Sequence, residues 1–125
     1  MSVADLAVST SWTTVCRLDQ LDPGRGVAAL LDDGRQVAVF LLDDGSVHAV
    51  DQRDPYSGAN VMSRGIVGSR GARDVVTSPM LKQAFDLRTG EAVDDPAVRL
   101  AVHRVELRDR QVLVGMRLIV EGGPP

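Results

Sequence analysis

The sequence predicts an all-β fold, a small antiparallel barrel or sandwich built from meanders, with two extended loops. Runs rich in Val, Leu and Phe are punctuated by Asp-Gly, the local signature of hairpins, because Gly takes the positive φ of a tight turn and Asp tolerates it. A second apolar hairpin closes the chain. No window keeps a helical period of 3.6 over about ten residues.

The elements follow in order. Thr13 to Arg17 reads as a short first strand. Gly26 to Leu31 is followed by Asp32-Asp33-Gly34, Gln36 to Leu42 by Asp43-Asp44-Gly45, and Ser46 to Val50 completes the run. The two Leu-Leu-Asp-Asp-Gly pieces read as successive turns of one meander. Arg53 to Asp74 has four glycines, one proline and little alternation. It is expected to be a long loop, and a loop of about twenty residues inside a compact domain is usually functional. Val75 to Ser78 and Ala84 to Leu87 read as short strands flanking a second loop, Ser78 to Gln83. Leu87-Arg88-Thr89-Gly90 reads as a turn and Asp94-Asp95-Pro96 as a loop. Ala101 to Arg108 alternates imperfectly, which predicts a bulge. Asp109-Arg110 makes the last turn, and Gln111 to Val114 returns. Residues 1–11 and 116–125 are expected to be tails around a domain of residues 12–115.

Composition narrows the function classes. The chain has 125 residues, 44% hydrophobic and 25% charged, an ordinary globular mix for one domain. Its net charge of −3 argues against a nucleic-acid binder, which carries a basic footprint. No stretch has the length of apolar residues that spans a bilayer, and the N-terminal residues lack the apolar core of a signal peptide, so no membrane partner and a cytoplasmic location are expected. One cysteine rules out an internal disulfide and the all-cysteine zinc or iron–sulfur sites.

The chemistry candidates are sparse. His48 and His103 lie in predicted strands, and the nearby Asp51 and Glu106 stand three residues on, at a spacing that faces the other side of a strand. Both histidines read as structural. Cys16 reads as a small buried hydrophobe with no base partner. The Asp-Asp pairs lie at turns and read as turn chemistry. Gly65-Ile66-Val67-Gly68-Ser69-Arg70-Gly71 lacks the context of a phosphate loop, but Arg64, Arg70 and Arg73 form a local basic cluster. That cluster leaves open a free-standing β module that recognises an anionic ligand. No catalytic residue and no metal ligand is assigned.

Two loops on a small β scaffold, with Phe85-Asp86-Leu87-Arg88-Thr89-Gly90 after the second, resemble a Rieske domain. In that family the loops read Cys-x-His-x-Gly and Cys-Pro-x-His-Gly-Trp-x-Phe. Here the first reads Asp54-Pro55-Tyr56-Ser57-Gly58, with Asp54 at the cysteine position and Tyr56 at the histidine position. The second reads Ser78-Pro79-Met80-Leu81-Lys82-Gln83-Ala84-Phe85, with Ser78 at the cysteine position and Leu81 at the histidine position. A [2Fe–2S] centre of this type needs two thiolates and two imidazoles. All four are replaced, which excludes an electron carrier with a conventional cluster.

The two longer phrases, Asp54 to Gly68 and Ser78 to Gly90, resemble the small subunits of NAD(P)H-dependent assimilatory nitrite reductases, which are Rieske-like without a cluster. Trp12 to Cys16 and Gly26 to Leu30 resemble their first strands, so the likeness covers residues 12 to 115. Leu81 departs from it, standing where an aromatic residue is expected. The resemblance implies a non-catalytic accessory subunit with no cofactor of its own. Its partner would be a large subunit carrying FAD, an iron–sulfur cluster and siroheme, which reduces nitrite to ammonium. Pro55, Tyr56, Met80 and Leu81 are candidates for an apolar docking knuckle, and Arg64, Lys82 and Gln83 for its polar rim. Alternatively, Tyr56 and Leu81 fill the space a cluster would take.

Overall fold

A computed structural model describes residues 12–119, with side chains through 115. The expected N-terminal tail, 1–11, and the last six residues of the expected C-terminal tail, 116–125, lie outside the described residues. Eleven strands occur among them, joined by turns and two single-turn 3-10 segments, Leu18–Gln20 and Met62–Arg64.

The strands form two antiparallel sheets. The larger contains β1 (Trp12–Arg17), β2 (Val27–Leu30), β3 (Gln36–Leu41), β4 (Val47–Asp51), β10 (Val102–Arg108) and β11 (Gln111–Ile119), in the order β1-β11-β10-β4-β3-β2. The smaller contains β5 (Ile66–Arg70), β6 (Arg73–Thr77), β7 (Ala84–Asp86), β8 (Glu91–Ala92) and β9 (Asp95–Arg99), in sequence order.

The Leu-Leu-Asp-Asp-Gly repeat is a structural repeat. Leu31 N donates to Arg35 O, and Leu42 N donates to Ser46 O. Gly34 and Gly45 take φ of 90° and 88°. Asp33 accepts from Arg35 N, and Asp44 accepts from Ser46 N, both at 2.9 Å. The closing hairpin is irregular between His103 and Val105, but the extra residues lie on β11 rather than β10, with one residue of β10 facing 115–117. The final turn is the two-residue kind, with positive φ at both Asp109 and Arg110 and Arg108 paired to Gln111.

Three further expectations need correction. The long loop is strand in its second half, since Ile66–Arg70 pairs with β6, which itself starts at Arg73. The loop at Asp94-Asp95-Pro96 opens an edge strand, β9. β5 and β9 each pair on one side and expose most of their side chains, so neither carries the alternation that marks a strand in sequence. The last strand does not stop at 115: residues 118 and 119 pair with His103 and Val102.

β3 explains the core. Its side chains alternate between two apolar clusters, so both faces are buried and the sequence reads as an unbroken apolar run. Ala38 and Phe40 join Val50, Met62, Val76, Phe85 and Leu87 between the sheets. Val37 and Val39 join Leu31, Ala49, Val112 and Val114 on the other side. His103 is a buried structural residue, as expected. Its Nδ1 meets Gly115 O and its Nε2 meets Asp51 Oδ1, each at 2.9 Å, which ties β10 to β11 and β4.

Candidate functional site

The two loops that the sequence singles out leave different sheets and meet at their bases. The first follows β4 and the second joins β6 to β7. Each is closed by its own backbone. Asp54 N donates to Ala59 O at 2.8 Å and Gly58 N donates to Asp54 O at 2.7 Å. Ser78 N donates to Gln83 O at 2.9 Å and Lys82 N donates to Ser78 O at 3.1 Å. Each loop has a proline second and positive φ at the fifth position, Gly58 at 77° and Lys82 at 62°.

The first residue of each loop also folds it from the side chain. Asp54 Oδ1 accepts from Tyr56 N at 2.8 Å and Ser57 N at 3.4 Å. Ser78 Oγ accepts from Met80 N at 3.3 Å. The turn after β7 repeats the device, with Asp86 Oδ1 accepting from Arg88 N and Thr89 N at 2.7 and 3.1 Å. Asp-x-x-Ser/Thr-Gly, present at 54–58 and 86–90, is the sequence signal of this turn that a search for ligands passes over.

Between the loops, Ser78 Oγ donates to Asp54 Oδ2 at 2.5 Å, with both residues almost wholly buried. Burial pushes the Asp54 carboxyl upward, but the Ser78 hydroxyl and the backbone N–H groups of Tyr56 and Ser57 outweigh it and hold the group below the usual carboxylate range.

These residues do not fit a [2Fe–2S] cluster of the Rieske type. The carboxylate and hydroxyl at the cysteine positions are spent on each other, and Leu81 has no donor atom. At the other histidine position, the Tyr56 ring packs against Phe85, with centroids 5.9 Å apart and planes at 46°. Among the described residues, no group of three or more His, Cys, Asp or Glu is placed to hold a metal ion.

The docking candidates divide. Met80 and Leu81 are 51% and 57% exposed, large apolar side chains left in water at the loop tip. Lys82, next in sequence, and Pro55 of the first loop are also exposed, while Tyr56 and Gln83 are half-buried. Tyr56 thus takes part of the filling role and Leu81 none of it. Arg64 is exposed on the 3-10 turn Met62–Arg64, and no hydrogen bond or ion pair joins it to either tip. A concavity of about 450 Å³ lies elsewhere, lined by Pro23, Leu42, Asp43, Asp44, Val67 and Asp74 among others, with no tip residue in its wall.

Two of the three arginines in the basic cluster meet carboxylates on folding. Arg73 is clasped by Asp86 at 2.9 Å and Glu91 at 2.6 Å, and these carboxylates, Glu91 foremost, raise its already high pKa. Arg70 lies 3.9 Å from Asp94. The carboxylates come from β7 and from residues 91 and 94, distant enough in sequence that the three arginines looked unopposed.

The geometry agrees with known proteins. The family profile of the Rieske-like [2Fe-2S] domain matches residues 11–115. The nitrite reductase (NADH) small subunit of Escherichia coli K12 is 33% identical over 109 residues, covering 86% of this chain and 98% of that one. The crystal structure of an NADH-dependent nitrite reductase small subunit from Mycobacterium tuberculosis superposes with a TM-score of 0.83 at 56% identity, covering 86% of this chain and 96% of the other. The nitrite reductase [NAD(P)H] large subunit of Klebsiella oxytoca is 36% identical over 107 residues, and this chain spans 11% of its length. The chain belongs to the Rieske-like domain family and, within it, to the nitrite reductase small subunits.

Proposed function

We propose that this chain is a non-catalytic accessory subunit of an NAD(P)H-dependent nitrite reductase. It works in the cytoplasm, carries no cluster, and supports a large subunit that holds FAD, an iron–sulfur cluster and siroheme and reduces nitrite to ammonium. Neither a nucleic acid nor a membrane is part of this reading. No helix among the described residues is long and apolar enough to cross a membrane. The loop tips are the docking surface, with Pro55, Tyr56, Met80 and Leu81 as its apolar part and Lys82 and Gln83 at its edge. The observation that carries the reading is a buried Asp54–Ser78 pair at the ligand positions beneath exposed Met80 and Leu81. A scaffold that has exchanged its ligands for a hydrogen bond while keeping apolar tips in water suits a partner better than an electron.

Leu81→Glu places a charge on the tip without touching the core. It is expected to weaken affinity for the large subunit at least tenfold and leave thermal stability unchanged, by titration and by melting. Unchanged affinity would move the docking surface elsewhere. The Klebsiella large subunit contains a stretch matching most of this domain. One small chain per large chain is therefore expected, and mass measurement of the purified complex checks it. A siroheme-containing large chain should accompany this subunit in pull-downs from cells grown on nitrite.

A further inference from the structure

The geometry points to the Asp54–Ser78 hydrogen bond as an interloop lock, which does the mechanical work of the absent cluster and holds the two loop tips as one docking unit. This inference rests on the docking reading above and names the positioning residues beneath that surface.

Each carboxylate in the repeated turn divides its oxygens. In the turn after β7, Asp86 Oδ1 folds its own turn while Oδ2 reaches Arg73 on the neighbouring strand at 2.9 Å. In the first loop, Asp54 Oδ1 folds its own turn while Oδ2 takes the Ser78 hydroxyl of the other loop at 2.5 Å. Among the described residues, no other side-chain hydrogen bond joins residues 54–59 to 78–83. The bond is charge-assisted and cut off from water, conditions under which a hydrogen bond is strong and its loss leaves a buried acceptor unmet.

The bond lies at the two cysteine positions, beneath the tips. Pro55 and Tyr56 follow Asp54, and Met80 and Leu81 follow Ser78. Without the lock each tip keeps its own backbone closure but loses its side-chain tie to the other. Docking would then have to order two independent loops, and preorganisation is what the lock supplies.

The test has two arms. In the first, amide exchange is followed on the free subunit. Ser78→Ala, in the second loop, should speed exchange of the Gly58 amide in the first at least tenfold. Asp54→Asn should do the same to the Lys82 amide, in each case over and above any change at the buried Val39 amide of β3, which reports global stability. Changes confined to the mutated loop would overturn the lock. In the second arm, affinity for the large subunit is measured for Ser78→Ala, with Leu81→Glu as the control. A loss of at least tenfold for Ser78→Ala supports the positioning role. If Leu81→Glu weakens binding and Ser78→Ala does not, the positioning role falls and the docking reading stands. If neither weakens binding, the docking reading falls and the positioning role with it, while exchange still decides whether the lock exists. The double variant Asp54→Asn/Ser78→Ala should lose less affinity than the product of the single losses, because the second change removes a partner already idle. Independent losses would overturn the coupling.

Discussion

Asp54 is wholly buried and ionised, and its stability effect depends on pH with a definite sign. Its folded pKa lies below the ordinary value, because the Ser78 hydroxyl and two backbone amides outweigh the burial penalty. The stabilisation is therefore complete above about pH 4, the ordinary aspartate range. It is lost as pH falls through the lowered folded value. Asp54→Asn is expected to lose about 1–3 kcal/mol at pH 7, the worth of a buried charge-assisted bond. Urea unfolding at pH 7 and again below pH 3 should show the variant and the parent converging in acid. A constant gap across that range would mean that Asp54 is not the group being titrated. The residue types of this lock are visible in the sequence, and so is their place in the two loops. Their contact is not, because 24 positions separate them and nothing local records that β4 and β6 deliver them to one point.

At the scale of elements, the turn from 86 to 90 shows how tightly the loops are fixed. Gly90 takes φ of 79°, and a Cβ there would collide with the Leu100 carbonyl oxygen. Leu100 N in turn donates to Gly90 O at 2.7 Å, so the backbone segments are bonded as well as close. Gly90→Ala meets both a backbone strain and a steric clash, and is expected to destabilise by about 2–5 kcal/mol. Chemical denaturation checks it, and a loss below about 1 kcal/mol would show that the two segments move apart freely. The meander turns were legible because Asp-Gly encodes them within five residues. β5 and β9 were not, because an edge strand with one partner and a solvated face has no periodic pattern to read. The Arg64, Arg70 and Arg73 cluster misled for a related reason. Charge along the chain says little about charge in space, and Arg73 meets its carboxylates across strands, on β7 and β8.

The whole molecule is two sheets sharing one apolar layer. Phe40 of β3 and Phe85 of β7 lie fully buried in that layer. Gly26, beside β2, has no room for a Cβ against Phe40 and the Ser63 carbonyl, so the segment before β5 packs directly on the larger sheet. Phe40→Ala opens a cavity at this contact and is expected to cost about 3–5 kcal/mol. The two sheets should then unfold together at a lower midpoint, followed by circular dichroism and by the Trp12 fluorescence of β1. Two separated transitions would show that the sheets are independent units.

The sequence by itself determined the all-β class, the meander, the closing hairpin, the two loops and the unsuitability of their residues for a conventional cluster. Each of these is written in neighbouring residues, through alternation, turn chemistry or the donor atoms of a side chain. Only the tertiary structure decided which candidates do what. Asp54 and Ser78 became a buried pair, Tyr56 went to Phe85, Met80 and Leu81 stayed in water, and Arg73 of the arginine cluster was neutralised. Those outcomes depend on which distant strands pair, and burial and charge neutralisation are properties of that pairing rather than of any short stretch of chain.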